Sequence, residues 1–175
     1  MTILHTTRLR LEPLDDCHLE GLFALNRQPE VMRFLGGQTE TREQSAQMIE
    51  RVKARWAEFG YSWWAFIELA TGELIGCGCI QHLGRDRANP LEIGWRLRPD
   101  RWKQGFALEA ARRMAAFAFD ELNAPLLRAV CHPENHASSR VMQRLGMGHC
   151  GTEHWYDMPV AAYEIRRADW ATTRR

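Results

Sequence analysis

A mixed α/β (α+β) fold is what this sequence predicts, and three observations carry the prediction. Two strand-like runs, residues 61–69 and 74–80, are joined by the turn signal Thr71-Gly72. An alternating run follows at residues 91–97, with Leu91, Ile93, Trp95 and Leu97 on one face and Glu92 and Arg96 on the other. Behind it come a long apolar stretch, residues 106–122, and another strand-like run at 126–131. Strand, turn, helix and strand in that order make a βαβ-like unit, so one parallel crossover sits in the middle of a chain that begins with antiparallel hairpins. A chain of 175 residues is long enough for one domain with a core and too short for two ordinary ones, so residues 1–175 are expected to form a single domain.

The remaining elements follow in order. Leu9 and Leu11 alternate with Arg8, Arg10 and Glu12 and stop at Pro13, which is the pattern of a strand with one buried face. Leu19, Leu22 and Phe23 fall at helical spacing behind the cap candidate Asp15. A loop around Gly36-Gly37 leads to Thr41-Arg42-Glu43-Gln44, spaced as a capping box, and Ile49, Val52, Trp56 and Phe59 then recur at helical intervals up to Gly60. Gly76 and Gly78 in the second hairpin strand mark a thin or closely packed part of the sheet, and Gly94 marks a bulge or close backbone approach. The helix beginning near Gly105 carries only Glu109, Arg112 and Arg113 as early charges and is expected to be buried against the sheet. After Asn123-Ala124-Pro125 and the 126–131 strand, a short helix at 137–145 is stopped by Gly146, and two last strands are expected near 147–152 and 159–165.

Charge and composition exclude several classes. Lysine and arginine number 23 against 22 acidic residues, a formal charge of +1, so no global field gathers nucleic acid or anionic lipid, and any anion site is local. No apolar run approaches the roughly 18 residues of a membrane span, and the first residues lack the apolar core of a signal peptide; a cytoplasmic protein is expected. The five cysteines are scattered without zinc spacing, and Pro133 between His132 and His136 argues against one helical face, so no metal is expected. One local anion site is legible. Residues 102–110, WKQGFALEA, form a strand-to-helix junction whose first helical N–H groups lack internal acceptors and carry the positive end of the helix dipole. Gly105 and Ala107 lack bulk and would admit a phosphate; the other reading is a helix start with small residues for packing.

These motifs together resemble the GNAT superfamily of acyl-CoA-dependent N-acetyltransferases, and within it the ribosomal-protein-alanine N-acetyltransferases. The resemblance runs through TTRLRLEPL and PEVMRFLGG near the start, WWAFIELATGELIGCGCI, the central EIGWRLRPDRWKQGFALEA, the segment from Asn135-His136-Ala137-Ser138-Ser139-Arg140-Val141 to Leu145-Gly146-Met147, and the ending YEIRRADW. It implies a central, mostly antiparallel twisted sheet of six to seven strands with a parallel splayed pair in the middle and about four helices. It also implies acetyl-CoA as cosubstrate and a primary amine as acceptor, and a homodimer is common in the group resembled.

The same resemblance implies site residues. Main-chain N–H groups of Gln104, Gly105, Phe106 and Ala107 would meet the CoA pyrophosphate, the strand-end backbone of Leu97 and Arg98 would hold the pantetheine arm, and Asn135 would touch that arm, a turn-forming asparagine being its alternative reading. Lys103 stands where the family usually has glycine and Gln104 where it usually has a basic residue. A left-handed lysine would cost about 1–2 kcal/mol, so Lys103 is expected to keep ordinary angles and to offer its ammonium to a phosphate. Many members place a tyrosine acid where this chain has Met142. The group resembled points instead to Ser138 as the proton donor to the leaving thiolate, with helix capping as the alternative.

Amide formation from a thioester needs a neutral amine, a stabilised oxyanion and a leaving thiolate. An α-amine of pKa about 7.8 is roughly a tenth neutral at pH 7, whereas a lysine amine near 10.4 is far less so, and the former needs only a weak base. Glu92 on the less apolar face of its strand is the candidate base, against a solvent-facing or ion-paired glutamate. Backbone freed by a bulge near residues 94–97 would supply an oxyanion donor. Most of the seven tryptophans are expected in the core, while His149, His154, Trp155, Tyr156 and Asp157 are placed to face an acceptor. Three readings stand: acetylation of a protein N-terminal α-amine, acetylation of a small-molecule amine such as a polyamine, amino acid or aminoglycoside, and a non-catalytic acyl-CoA-binding module.

Overall fold

The computed structural model of the chain describes residues 2–173. Its elements are β1 (Leu4–His5), β2 (Leu9–Pro13), α1 (Leu19–Asn26), α2 (Pro29–Met32), α3 (Arg42–Phe59), β3 (Trp63–Glu68), β4 (Leu74–His82), β5 (Leu91–Leu97), α4 (Phe106–Ala116), β6 (Leu126–Cys131), α5 (His136–Arg144), β7 (Gly148–Trp155), β8 (Met158–Arg166) and α6 (Arg167–Thr173). The strands form an eight-stranded sheet in the order β1-β2-β3-β4-β5-β6-β8-β7. The expected crossover is present: β5 and β6 run parallel with Leu91 opposite Leu127 and Glu92 opposite Arg128. The sheet has eight strands rather than six to seven because β1, two residues long and paired as Leu4↔Leu11 and His5↔Arg10, is too short to show alternation. The helices α2 and α6, four and seven residues long, likewise fall below the length at which helical spacing can be read.

The described residues divide into two compact units, residues 2–79 with Trp95–Ala110 and Ile80–Gly94 with residues 111–173. In the first, α3 starts at the expected capping box, Thr41 Oγ1 accepting from Gln44 N and Gln44 Oε1 from Thr41 N, and stops at Gly60 with a φ of 75°. Its Ile49, Val52 and Trp56 face a core with Leu9, Leu11, Leu22, Leu25, Trp64 and Phe66. Trp56 and Trp64 meet edge to face at 5.0 Å, and the Trp56 indole N–H donates to the Trp63 carbonyl at 3.0 Å. Asp15 caps a short 3₁₀ turn, Asp16–His18, rather than α1 itself. Gly76 is required by a close approach, since a Cβ there would lie 2.5 Å from the Arg96 carbonyl oxygen.

In the second unit α4 does not run to residue 122 as a regular helix: it ends at Ala116 and continues as a π-type turn, Phe117–Glu121, with Leu122 N donating to Phe117 O at 3.1 Å. The hairpin β7–β8 closes in two residues, Trp155 pairing with Met158 across Tyr156 and Asp157. Phe117, Phe119, Leu127, Ala129, Met142, Leu145, Val160, Tyr163 and Ile165 form the apolar interior here.

Candidate active site

In the first unit, residues 103–107 make the turn into α4. Lys103 has a φ of 61° and Gly105 a φ of 85°, so the turn is built from two left-handed residues. This corrects the expectation that Lys103 keeps ordinary angles: the turn that glycine usually makes is made here by lysine, at about 1–2 kcal/mol of strain. The loop is anchored from beneath. Arg8 Nη1 donates to the Gln104 carbonyl at 3.0 Å, its guanidinium lies 4.1 Å from the centre of the Phe106 ring, and its Nε donates to Glu109 Oε2 at 2.7 Å. Glu109 Oε1 also accepts from Thr6 Oγ1 at 2.6 Å and Arg8 N at 2.8 Å. Burial works to raise the Glu109 carboxyl, but the hydrogen bonds from Thr6 and Arg8 outweigh it and hold the group below its ordinary range. The Gln104 side chain donates to the Asp100 carbonyl at 2.8 Å. The result is a fixed, exposed turn whose last N–H groups begin a helix, as a phosphate requires.

The end of β5 is more heavily used than the sequence suggests. The Leu97 carbonyl accepts from the Trp102 indole at 2.8 Å, Arg98 N donates to Ile75 O at 2.8 Å, and Arg98 O accepts from Arg101 N at 3.0 Å. The Arg98 guanidinium is taken by Glu73 at 2.9 Å and Asp100 at 2.8 Å.

In the second unit Glu92 is buried, only 6% exposed, so a solvent-facing glutamate does not describe it. The Tyr156 hydroxyl donates to Glu92 Oε2, and Gln81 Nε2 donates to the same oxygen at 3.3 Å. Gly84 N donates to Tyr156 Oη at 3.1 Å, and Gln81 Nε2 also reaches it at 3.4 Å. Burial pushes the Glu92 carboxyl above its ordinary range, opposed by the hydrogen bonds from Tyr156 and Gln81 and by the Arg85 charge. Tyr156 and Asp157 have φ of 55° and 61°, a two-residue hairpin turn that glycine and asparagine normally fill. A tyrosine holding such angles with its hydroxyl on a buried carboxylate is a strained residue put to use. With Gly84, Arg85, Asp86, Asn89, His154 and Trp155, this turn lines an open concavity of ≈ 430 Å³.

Ser138 and Asn135 meet at the start of α5. Asn135 is the N-cap, its Oδ1 accepting from Ser138 N at 3.2 Å, so capping falls to Asn135 and leaves the half-buried Ser138 hydroxyl out of it. Met142 is buried, its side chain part of the core. The sequence gives no sign of the Arg8–Glu109 anchor, which spans about a hundred positions, nor of Gln81 beside Glu92. Tyr156 stands out in it only as one of five residues on or between the last two strands that are candidates to face an acceptor, with nothing to tie it to Glu92.

An exposed turn of main-chain donors at a helix start suits a phosphate-bearing cosubstrate, and a buried carboxylate of raised pKa suits proton transfer. The family profile described as acetyltransferase (GNAT) domain matches residues 8–148, and the chain belongs to that family. It is an acetyl-CoA-dependent N-acetyltransferase. Among its relatives is an FsC-acetyl coenzyme A-N(2)-transacetylase of Aspergillus fumigatus, 31% identical over 98% of this chain and 76% of that one. Among solved structures, an acetyltransferase from Agrobacterium tumefaciens is similar with a TM-score of 0.82 at 26% identity over 95% of both chains. The ribosomal-protein-S5-alanine acetyltransferase from Vibrio fischeri shares the fold, with a TM-score of 0.78 at 12% identity over 97% of this chain and 99% of that one. No helix among the described residues is long and apolar enough to cross a membrane.

Proposed function

We propose that this enzyme transfers the acetyl group of acetyl-CoA directly to a primary amine bound beside it, in a ternary complex, with Glu92 as the base. The observation that carries this reading is the buried Glu92 carboxyl, raised by desolvation yet held by Tyr156 and Gln81. A base is most effective when its pKa lies near the working pH, and a buried carboxyl moves in that direction. The amine nitrogen attacks the thioester carbonyl and passes a proton to Glu92. The carbon–sulfur bond then breaks, and the Ser138 hydroxyl donates a hydrogen bond to the departing thiolate and relays to it a proton taken from solvent, so that the serine ends as a hydroxyl. The main-chain N–H groups of Gln104, Gly105, Phe106 and Ala107 receive the pyrophosphate, with the Lys103 ammonium beside them. Leu97 and Arg98 offer main-chain contacts to the pantetheine arm, and Asn135 keeps its Nδ2 for the same arm while its Oδ1 caps α5.

Two kinds of primary amine stand as the acceptor. Acetylation of a protein N-terminus draws on the fold shared with the ribosomal-protein enzyme. A small-molecule amine draws on the relative named for transfer to N(2) of FsC. Thiol release from acetyl-CoA, measured against ribosomal-protein N-terminal peptides, amino acids, polyamines and aminoglycosides, tests the proposal. Amine-dependent release with amide formed in equal amount supports it; acetyl-CoA binding without release in the presence of any amine would make the chain a binding module instead.

A further inference from the structure

Arg96 differs from its neighbours in the company it keeps. Arg10, Arg98, Arg101, Arg113 and Arg128, also half-buried, each meet a carboxylate. Arg96 meets sulfur: its Nε donates to Cys77 Sγ at 3.2 Å and its Nη2 to Met48 Sδ at 3.2 Å, and its guanidinium lies 5.2 Å from the Trp63 ring centre. Thiol and thioether sulfur are weak acceptors. Burial pushes the Cys77 thiol up, against the pull of Arg96, so it stays neutral. The carboxylate whose charge reaches Cys77 is Glu40, which is occupied by Asn26 Nδ2 at 2.7 Å and Ser45 Oγ at 3.2 Å. Among the described residues no carboxylate forms an ion pair with Arg96, and both N–H groups of Nη1 are without a hydrogen-bond acceptor. A half-buried cation set on weak acceptors and an aromatic face is held in position but not neutralised. Its planar fork is shaped for a carboxylate.

We infer that Arg96 binds a carboxylate of the acceptor, so that the substrate is an amine that also carries an acid, of the free amino acid class. The inference rests on the acetyl-transfer reading and narrows it. Arg96 lies on β5, the strand that also carries Glu92. Cys77, Met48 and Trp63 act as the packing that fixes the guanidinium plane and leaves its open edge to the ligand.

The test compares glycine, alanine, leucine and phenylalanine with their carboxamides as acceptors for the wild type and for Arg96→Met, which removes the charge into a site already lined by sulfur. The carboxamides have the less basic amines, so chemistry alone favours them. The expected result is at least a tenfold preference in kcat/KM for one or more free acids over their amides in the wild type, falling to within twofold in Arg96→Met with KM for acetyl-CoA unchanged. Thermal melting of the variant reads folding separately, and the wild-type preference stands on its own if the variant is unstable. Equal use of acids and amides by the wild type, turnover of polyamines or N-terminal peptides but of no free acid, or an Arg96→Met variant that keeps the preference overturns the assignment and leaves acetyl transfer intact. No turnover with any amine overturns both.

Discussion

Residues 103–107 present main-chain N–H groups on an exposed turn, held by two left-handed residues and by Arg8 beneath. Glu92 and Tyr156 present side chains instead, brought together from positions 64 apart, with the carboxylate almost wholly out of water. In the proposed mechanism the turn would recognise charge through dipoles that every residue type carries, so its identity lies in shape. The pair depends on two particular functional groups and on the low dielectric around them. The two regions should therefore answer mutation differently: the pair in turnover and pH dependence, the turn in affinity and stability.

The largest effect is expected at the pair. Glu92→Gln should lower kcat/KM about a hundredfold near neutral pH while leaving acetyl-CoA affinity within a factor of about two. The same change carries a stability signature of opposite sign. A carboxyl raised on folding contributes stability at low pH that is lost as pH rises through its folded pKa, so Glu92→Gln should melt above the wild type at pH 8. A variant that loses activity by losing its fold would melt lower.

Ser138→Ala comes next, with turnover expected to fall ten- to a hundredfold. Because Asn135 caps α5, loss of the hydroxyl should leave the melting temperature in place. Retained turnover would remove Ser138 from the chemistry without handing it a capping role.

At the turn the effects are smaller and of another kind. Lys103→Ala should weaken acetyl-CoA binding severalfold, by loss of the ammonium, with kcat little changed; an unaltered dissociation constant would show that the lysine has no phosphate partner. Lys103→Gly should lose the same affinity and yet raise stability by up to about 1 kcal/mol, because a left-handed residue without Cβ is unstrained. A destabilised Lys103→Gly would contradict the strained turn.

The contrast also explains how far the sequence could be read. Capping at Thr41 and Gln44, the strand at 91–97 and the glycine stop after α5 act over four to seven residues, and each appears in the structure where its pattern lies, although the burial along the strand does not alternate. The turn proposed for the pyrophosphate is legible for the same reason, as small residues at a strand-to-helix junction. Its lysine was not, since nothing in WKQ says which residue takes the left-handed angle. Glu92 could be picked out as a carboxylate on a strand, but its burial depends on Gln81 and Tyr156, and the Arg8–Glu109 anchor on a pairing 101 residues apart. Such contacts follow from strand order, which local periodicity does not contain.

The most direct test of a buried, tuned base is the acid limb of kcat/KM for the wild type and for Tyr156→Phe. As the proposed base Glu92 acts deprotonated, so activity is expected to fall as pH drops through its pKa. Removing the Tyr156 hydroxyl takes away a hydrogen bond that favours the carboxylate. The acid limb should lie above the ordinary glutamate range in the wild type and move to still higher pH in Tyr156→Phe, with activity recovering as pH is raised. An acid limb at the ordinary glutamate range, or one that stays in place when the hydroxyl is gone, would contradict Glu92 as the base that Tyr156 holds.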